Sequence, residues 1–254
     1  ISFIEIFTDS GFQKYLVQHE FRNMIDIYKS ANVAFWTNLT LSLVLWVFIF
    51  FYRDHIANIV GSNGLGNVLA IASIQLPLTS FSSIQMALYK RDFDFKKLFL
   101  VRLVSVLIPF FITVPLAYMG FSYWSLIIGS ISIQISNALI LTLKSKWKPR
   151  LFFNFNILKK MFSFSIWSLI ESLSIWLSIW VDTFVIASFL SPFLLGLYKT
   201  STTMVNTLTA LITGAIMPVL FSTLSRLQEN DDQFKNVFLK FQRLCSILIF
   251  PLGV

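Results

Sequence analysis

Residues 162–198 read FSFSIWSLIESLSIWLSIWVDTFVIASFLSPFLLGLY, an apolar stretch that nevertheless holds two acids, Glu171 and Asp182. About 20 apolar residues suffice to cross a bilayer as a helix, so this stretch is too long for an ordinary helix of a globular core. Ionised groups inside hydrocarbon cost about 3 kcal/mol or more unless they face a partner or a water-filled pathway. The stretch therefore predicts a membrane helix, a turn at Ser191-Pro192 and a second helix, with the acids facing an interior.

The acids share one face of the predicted helix. At about 100° per residue, five polar residues fall within roughly 120°: Ser168, Glu171, Ser174, Ser178 and Asp182. Large apolar residues occupy the opposite side: Leu169, Leu173, Trp176, Trp180 and Phe184. We expect the polar stripe to face a cavity and the aromatic side to face lipid.

The helix after the turn also carries polar residues near one face: Lys199, Thr202, Thr203, Asn206 and Thr213. Asp182 lies about ten residues before Pro192 and Lys199 about seven after it, so both lie at comparable depth. Intramembrane charges either pair or mark a pathway. A Lys199–Asp182 salt bridge and a shared substrate pathway are therefore both open interpretations.

The composition places the whole chain in the membrane class. Of its 254 residues, 56% are hydrophobic and only 13% are charged, whereas soluble domains carry roughly 25% charged residues. The single Cys245 and the isolated His19 and His55 show no metal-site spacing, so we expect no cofactor. The fold class predicted is an all-α polytopic membrane protein.

The net charge of +8 reflects topology rather than a nucleic-acid partner, because the basic residues lie between apolar segments. We assign eight hydrophobic segments: 1–18, 31–52, 67–88, 99–119, 122–143, 162–190, 193–224 and 237–254. The connections on one side hold fourteen Lys and Arg residues, and those on the other side hold only Arg53. The basic side is therefore predicted to be cytoplasmic. The first and last segments look incomplete, so we expect a piece of a longer protein.

Further polar residues within the segments are candidate cavity residues. Glu5 and Asp9 lie near one face of the first segment, where they either join Glu171 in the cavity or, in the case of Asp9, pair with Lys14. The third segment contains Pro77 and many hydroxyl and amide side chains, which favours the bundle interior. Those side chains either line the cavity or hold helices together.

The short basic loop after the third segment contains an Asp-x-Asp pattern, Asp92 and Asp94. Such a pair can hold a divalent ion in glycosyltransferases, but four neighbouring cations favour a solvated loop. Arg102, one turn into the next span, is expected to extend its guanidinium to the interface.

The longest connection, 144–161, mixes Trp147 and several phenylalanines with basic residues. This composition predicts an amphipathic cytoplasmic linker on anionic lipid. It divides the chain into an N-terminal lobe, 1–143, and the start of a C-terminal lobe, 162–254.

Three landmarks resemble bacterial polysaccharide (oligosaccharide, O-antigen) flippases of the MATE-like multidrug/oligosaccharidyl-lipid/polysaccharide exporter superfamily. Residues 91–97 resemble the family's Arg-Asp-x-Asp-Phe-Lys-Lys loop after its fourth helix. Residues 120–126 are similar to its Gly-x-Gly-x-Trp-Ser-Leu motif before the sixth helix, with Ser122 replacing the second glycine. Residues 180–182 and 195–198 resemble its hairpin of the seventh and eighth helices.

The resemblance implies a two-lobed bundle, of which this chain would supply about eight of roughly twelve to fourteen membrane helices. It implies flipping of an undecaprenyl-pyrophosphate-linked oligosaccharide from the cytoplasmic to the outer leaflet of the bacterial cell membrane, by lobes rocking about the 144–161 linker. A polysaccharide polymerase and glycosyltransferases are the implied partners, besides membrane lipids.

The candidate site residues follow from this function. Lys199 is the main candidate for the pyrophosphate, with Lys14 and Arg102 as weaker ones, and Asn206 is a candidate for the glycan. Glu171, Asp182, Asp9 and Glu5 are candidates for a coupling ion, H⁺ or Na⁺, because a buried acid binds a proton more readily.

Other functions remain as alternatives. A drug/cation antiporter of the same superfamily would use the inward acids, and a lipid II flippase is expected to have a more cationic cavity. A membrane glycosyltransferase is disfavoured, because no acid–base or metal constellation is found apart from Asp92 and Asp94. The sequence therefore predicts a transporter rather than an enzyme.

Overall fold

The computed structural model describes residues 6, 11–59 and 64–250, and its described elements are all helices. Their bounds are α1 Phe12–Gln18, α2 Met24–Ile59, α3 Gly66–Ala72, α4 Gln75–Arg91, α5 Phe95–Phe111, α6 Thr113–Tyr118, α7 Tyr123–Lys144, α8 Phe155–Phe189, α9 Pro192–Leu224 and α10 Asp231–Ile249. The predicted fold class, an all-α polytopic membrane protein, is confirmed.

Within this described part, five helical stretches are long and apolar enough to cross a membrane. They are Met24–Asn58, Gly66–Arg91, Phe95–Tyr118, Tyr123–Lys144 and Phe155–Phe189. A sixth candidate, α9, bends by 44° between Gly214 and Ile216. Pro218 explains the bend, because it lacks the N–H that would bond the carbonyl of Gly214.

The two outer segments of the predicted eight differ from the rest. Most of segment 1–18, including Glu5 and Asp9, lies outside the described residues. Segment 237–254 is described up to residue 250, as the C-terminal part of α10. This helix begins with Asn230 capping Gln233 N at 3.1 Å and has Lys240 and Arg243 among its apolar residues. Over its described residues, α10 is amphipathic and does not meet the criterion for a span.

The described chain forms two compact units. The first comprises Ile1–Leu16 and Glu20–Leu169, and the second comprises Val17–His19 and Ile170–Val254. The boundary lies within α8, whereas the sequence analysis placed a linker at 144–161. The assignment of the chain to two functional lobes stays a prediction.

In the first unit, α4 is the central helix and packs against both α2 and α7. Its apolar side chains Leu76 and Ile84 are fully buried, as is Phe35 of α2. Pro77 is tolerated because it lies in the first turn of α4, where the backbone N–H groups have no partner within the helix. The third segment therefore lies in the bundle interior, as its composition predicts.

Polar side chains of α4 connect it to its neighbours. Ser80 Oγ lies 2.9 Å from Ser42 Oγ of α2. Gln75 Nε2 donates to Ser130 Oγ of α7 at 3.1 Å, and Gln85 Nε2 donates to Thr142 Oγ1 at 3.0 Å. Of the two interpretations left open by the sequence, these contacts favour helix packing, since apolar surface alone gives little drive for association in lipid.

The predicted linker is a docked segment rather than an amphipathic helix. Residues 145–154 are not helical, and the Trp147 ring is 3% exposed and packs edge-on against Phe35. Asn32 Oδ1 of α2 accepts a hydrogen bond from Arg150 N at 2.9 Å, while Trp36 Nε1 donates to Arg150 O at 2.8 Å. These contacts fix residues 147 and 150 to α2, and the role of 144–161 as a linker between lobes stays a prediction.

Candidate functional site

The hairpin of α8 and α9 contains the candidate site, and local sequence sets its turn. Ser191 precedes α9 in an extended conformation, and its Oγ accepts a hydrogen bond from Leu194 N at 3.5 Å. Pro192 occupies the start of the helix, where its missing N–H costs nothing. A serine cap followed by proline therefore ends one span and begins the next.

A cavity of ≈ 570 Å³ lies between the two helices, in the second unit. The α8 wall consists of Ser178, Ile179, Asp182 and Thr183. The α9 wall consists of Tyr198, Lys199, Ser201, Thr202, Val205 and Asn206. The cavity thus combines a carboxylate, an ammonium, an amide and several hydroxyls between two otherwise apolar helices.

Three of the predicted site residues meet in this cavity. Asp182, Lys199 and Asn206 all line it, which agrees with the prediction that the acid and the lysine lie at comparable depth. The two charges make the lining formally neutral. What ligand these residues bind is not decided by their placement alone.

The predicted Lys199–Asp182 salt bridge is not formed. Among the described residues, ion pairs within 4 Å do not include these two, although both line the cavity. The Lys199 ammonium instead lies 4.3 Å from the centroid of the Trp180 ring. A cation above an aromatic face is held by the ring quadrupole and keeps its full charge.

The expected lipid-facing side of α8 is therefore partly wrong. Trp180 is half-buried and contacts Lys199 of α9, and it continues a ladder of aromatic rings with Trp176 at 5.9 Å and Phe184 at 6.4 Å. Phe184 itself is exposed, 59%, as expected for a lipid-facing side chain. Trp180 of the apolar side, together with Ser178 and Asp182 of the polar stripe, therefore faces α9.

The rest of the polar stripe does not share one environment. Ser168 is buried in the first unit next to Gly11, so closely that a Cβ added to Gly11 would lie 2.6 Å from the Cβ of Ser168. Glu171 is exposed and lies outside the cavity lining. Only Ser178 and Asp182 of the predicted stripe reach the cavity.

Sequence reasoning missed Thr183 as a cavity residue. Its side chain is 9% exposed, it lines the cavity, and its Oγ1 has no hydrogen-bond partner among the described residues. The residue follows Asp182 directly and lies about 100° from it around the helix, outside the polar stripe and next to the apolar side. The spacing of the polar residues therefore gave no signal for it.

The remaining predicted candidates lie elsewhere. Lys14 of α1 is half-buried and Arg102 of α5 is exposed, and both belong to the first unit. Neither lines the cavity. Glu5 and Asp9 fall outside the described residues.

The Asp-x-Asp loop has a structural role. Asp94 caps α5 by accepting from Lys97 N at 3.4 Å, and its carboxylate lies 2.6 Å from Lys97 Nζ. The side-chain hydrogen bond from Lys97 is the main reason why the pKa of Asp94 lies below its usual value. In the described part of the chain, groups of three or more His, Cys, Asp or Glu side chains suited to a metal ion do not occur.

Arg91, the last residue of α4, contacts the end of α1 and the ring of Phe21. Its Nη1 donates to Leu16 O, a carbonyl in the last turn of α1, at 2.8 Å, and its guanidinium lies 4.9 Å from the centroid of Phe21. Carbonyls in the last turn of a helix have no N–H donor within the helix, so a hydrogen bond from a cationic side chain to them is favourable. The Arg-Asp-x-Asp landmark therefore joins α1, α4 and α5 at one end of the first unit.

Comparison with known proteins agrees with this arrangement. A family described as polysaccharide biosynthesis protein matches residues 1–254, the whole chain. The chain belongs to this polysaccharide biosynthesis protein family. Its predicted resemblance to polysaccharide flippases is confirmed at the level of the family.

Two relatives of this polysaccharide biosynthesis family member are similar over nearly all of its length. The succinoglycan biosynthesis transport protein ExoT of Rhizobium meliloti (strain 1021) is 21% identical over 252 residues, 99% of this chain and 50% of the relative. The lipopolysaccharide biosynthesis protein WzxC of Escherichia coli (strain K12) is 21% identical over 257 residues, 99% of this chain and 51% of the relative. The chain thus spans about half the length of these relatives, and no solved structure matches it.

Proposed function

We propose that the protein moves a lipid-linked saccharide across the bacterial cell membrane for polysaccharide biosynthesis. The observation that carries the proposal is the cavity that places Asp182, Lys199 and Asn206 between two membrane-type helices. Charged and polar groups are costly in hydrocarbon, and where they occur they mark substrate or ion pathways. The family match and the names of the two relatives support the same process.

The cargo of the proposal is an undecaprenyl-pyrophosphate-linked oligosaccharide, carried from the cytoplasmic to the outer leaflet by alternating access. The prenyl tail stays in lipid while the polar headgroup passes through a hydrogen-bonding cleft. Lys199 and Asn206 contact the headgroup, and Lys14 and Arg102 are weaker candidates. The basic loops face the cytoplasm, and polymerase and glycosyltransferases act before and after this step.

The coupling ion of the proposal is H⁺ or Na⁺. Glu171 and Asp182 are the candidate acids in the described part, with Glu5 and Asp9 as further candidates outside it. The test is a double variant, Glu171→Gln with Asp182→Asn. If this variant exports at the full rate with an unchanged response to pH and sodium, the acids do not bind the coupling ion. Loss of the pH or sodium response with retained expression supports this role for the acids.

The transport proposal is tested with the full-length protein in a strain that lacks its gene. Lys199→Met is expected to lower cell-surface polysaccharide about ten-fold or more, because a desolvated headgroup loses its charged partner. Lys160→Met, an exposed lysine in the first turns of α8, is the matched control and keeps export within about two-fold. Equal export by the Lys199→Met protein removes this residue from the mechanism.

A cation antiporter is the second candidate function, and one observation favours it. Asp182 lines a cavity whose lysine is held by an aromatic ring, and carboxylates beside aromatic rings also bind organic cations. Uptake of a fluorescent organic cation into proteoliposomes, driven by a proton gradient, separates the two functions. Uptake that depends on Asp182, together with unimpaired polysaccharide export in the deletion strain, replaces the saccharide proposal with this one.

A further inference from the structure

The hydroxyls of the cavity mostly have their protons engaged by the helix backbone. Ser178 Oγ donates to Ser174 O at 2.8 Å, Ser201 Oγ donates to Leu197 O at 3.0 Å, and Thr202 Oγ1 donates to Tyr198 O at 3.0 Å. A hydroxyl has one donor proton and two acceptor lone pairs. Once the proton bonds a carbonyl four residues earlier, the oxygen offers a ligand only acceptors.

Asp182 adds to this acceptor surface. Its carboxylate lines the same cavity and, when ionised, accepts hydrogen bonds without donating any. Three backbone-bonded hydroxyls and one carboxylate, contributed by both helices, therefore offer acceptors that match ligand O–H groups. A phosphate or pyrophosphate, which offers mainly acceptor oxygens and negative charge, meets repulsion from the Asp182 carboxylate.

Donors toward the ligand are few and specific. Lys199, held over Trp180 rather than by Asp182, supplies an ammonium, and Asn206 of the same lining supplies an amide. Thr183 also lines the cavity, but its Oγ1 is enclosed by protein and has no hydrogen-bond partner within the described part of the chain, so it offers no donor to a ligand.

Charge and size point in the same direction. The lining carries one formal negative and one formal positive charge, from Asp182 and Lys199, so it has no net charge with which to attract a multivalent anion. Its volume, ≈ 570 Å³, is in the range of about 300–1,000 Å³ that is typical of small-molecule sites. Sugar hydroxyls both donate and accept, and they match a site that offers acceptors from both helices together with a few donors.

We infer that this cavity binds the sugar hydroxyls of the lipid-linked saccharide rather than its pyrophosphate, with Asp182 as the principal contact. The inference rests on the proposed function and names the part of the cargo that the cavity recognises. It assigns Trp180 a positioning role, since the indole holds the Lys199 ammonium beside the sugar without neutralising it. An Asp182 carboxylate that accepts sugar hydroxyls is also placed to take up a coupling ion.

The test uses the purified full-length protein and two water-soluble probes. One probe is citronellyl pyrophosphate, and the other is the same compound with one glucose attached to the pyrophosphate. Isothermal titration calorimetry gives Kd for each. Ser178→Ala, which removes one acceptor oxygen of the lining, is expected to weaken binding of the glucosylated probe about five-fold and to change binding of the sugar-free probe less than about two-fold.

The direction in which Asp182→Asn changes the binding affinity gives a second test. If the sugar contacts the Asp182 carboxylate, this variant binds the glucosylated probe about ten-fold more weakly, because a charged acceptor is lost. If the pyrophosphate lies there, the same variant binds both probes more tightly, because a like charge is removed, and the inference is overturned. Thr207→Val is the matched control: Thr207 of α9 donates to Thr203 O at 2.7 Å and is not part of the lining.

Failure of the inference is distinguishable from failure of the proposed function. Binding of both probes by the wild-type protein, with equal loss of both in Ser178→Ala, contradicts the sugar assignment and leaves saccharide transport standing. Binding of neither probe at millimolar concentration, together with intact polysaccharide export in the deletion strain, contradicts the proposed function and the inference together.

Discussion

Single residues in this chain adopt conformations that their own chemistry disfavours. Ser122 has φ 48° and ψ −129°, a region that is accessible almost only to glycine. It occupies the position where the resembled motif has its second glycine. Gly120, two residues earlier, has φ +85° and fits its conformation without strain. The turn before α7 therefore places a serine in a backbone conformation that glycine adopts more readily.

Ser122→Gly is predicted to stabilise the protein. Removing the side chain relieves about 1 kcal/mol of backbone strain, which exceeds the extra entropy that glycine gains in the unfolded chain. Apparent Tm in detergent, followed by size-exclusion chromatography after heating, should rise by a few degrees. Ser132→Gly, in the interior of α7, is the control and should lower Tm. A lower Tm for Ser122→Gly would show that the turn is not strained.

A second residue-scale prediction concerns Asp94 and pH. Because the Lys97 partner lowers the pKa of Asp94 in the folded protein, the ionised carboxylate stabilises the fold at neutral pH. This contribution is present above the unfolded-state pKa and is lost as pH falls through the lower folded-state value, in the acid range below about pH 4. Asp94→Asn keeps a capping side chain and removes the charge.

Thermal unfolding of Asp94→Asn and wild-type protein at pH 7 and near pH 3 measures this effect. At pH 7 the variant should unfold slightly earlier, by a few degrees at most, since the pair is partly exposed. Near pH 3 the difference should be smaller, because the contribution of the ionised carboxylate declines once the pH is below the unfolded-state pKa. A constant difference at both pH values would place the contribution in packing rather than in the ion pair.

At the scale of helices, close packing depends on small residues at crossing points. Gly129 of α7 is buried, and a Cβ added there would collide with the side chain of Thr113 at the start of α6. Without a strong hydrophobic drive in lipid, helices gain by approaching closely through such residues. Gly196 of α9, by contrast, has open space where a Cβ would be.

Gly129→Ala and Gly196→Ala form a matched pair of glycine variants in membrane helices. The first should destabilise the protein by about 1–3 kcal/mol, because α6 and α7 must move apart. The second should be neutral or stabilising by up to about 1 kcal/mol, because alanine has the better helix propensity. Apparent Tm of each variant distinguishes them. Equal effects would contradict the close contact between α6 and α7.

The docked segment 145–154 is another element-scale result. The sequence suggested an amphipathic linker, whereas the backbone of Arg150 pairs with Asn32 and Trp36, more than one hundred residues away. Lys148 Nζ also donates to the carbonyl of Thr142 near the end of α7. The segment is therefore fixed to α2 and to the end of α7 by contacts that its own composition does not predict.

For the whole molecule, the charges at the two ends of α8 indicate which way the chain is oriented in the membrane. Its 35 residues span about 52 Å, which exceeds the roughly 30 Å of hydrocarbon, so one end extends out of the membrane core. Lys159 and Lys160 lie exposed near its first turns, and the uncharged turn at Ser191 follows its other end. The basic end is expected to be cytoplasmic.

Labelling of single cysteines tests this orientation in intact cells. In a full-length protein without Cys245 or any other cysteine, Ser191→Cys should react with a membrane-impermeant maleimide from outside, because the proposed orientation places the turn on the outer side of the membrane. Lys159→Cys should react only after the membrane is permeabilised. The reverse pattern would contradict the cytoplasmic assignment of the basic loops, and with it the direction of transport in the proposal.

The sequence by itself determined the membrane class, most of the spans, the hairpin at Ser191-Pro192 and the shared depth of Asp182 and Lys199. These features depend on hydropathy and helical rise, which act between near neighbours along the chain. Only the tertiary structure decided that Lys199 contacts Trp180, that Thr183 lies in the cavity without a partner among the described residues, and that residues 145–154 dock on α2. These contacts depend on how each helix is rotated about its axis and on distant partners, and an apolar helix with polar residues over a wide sector leaves its rotation open.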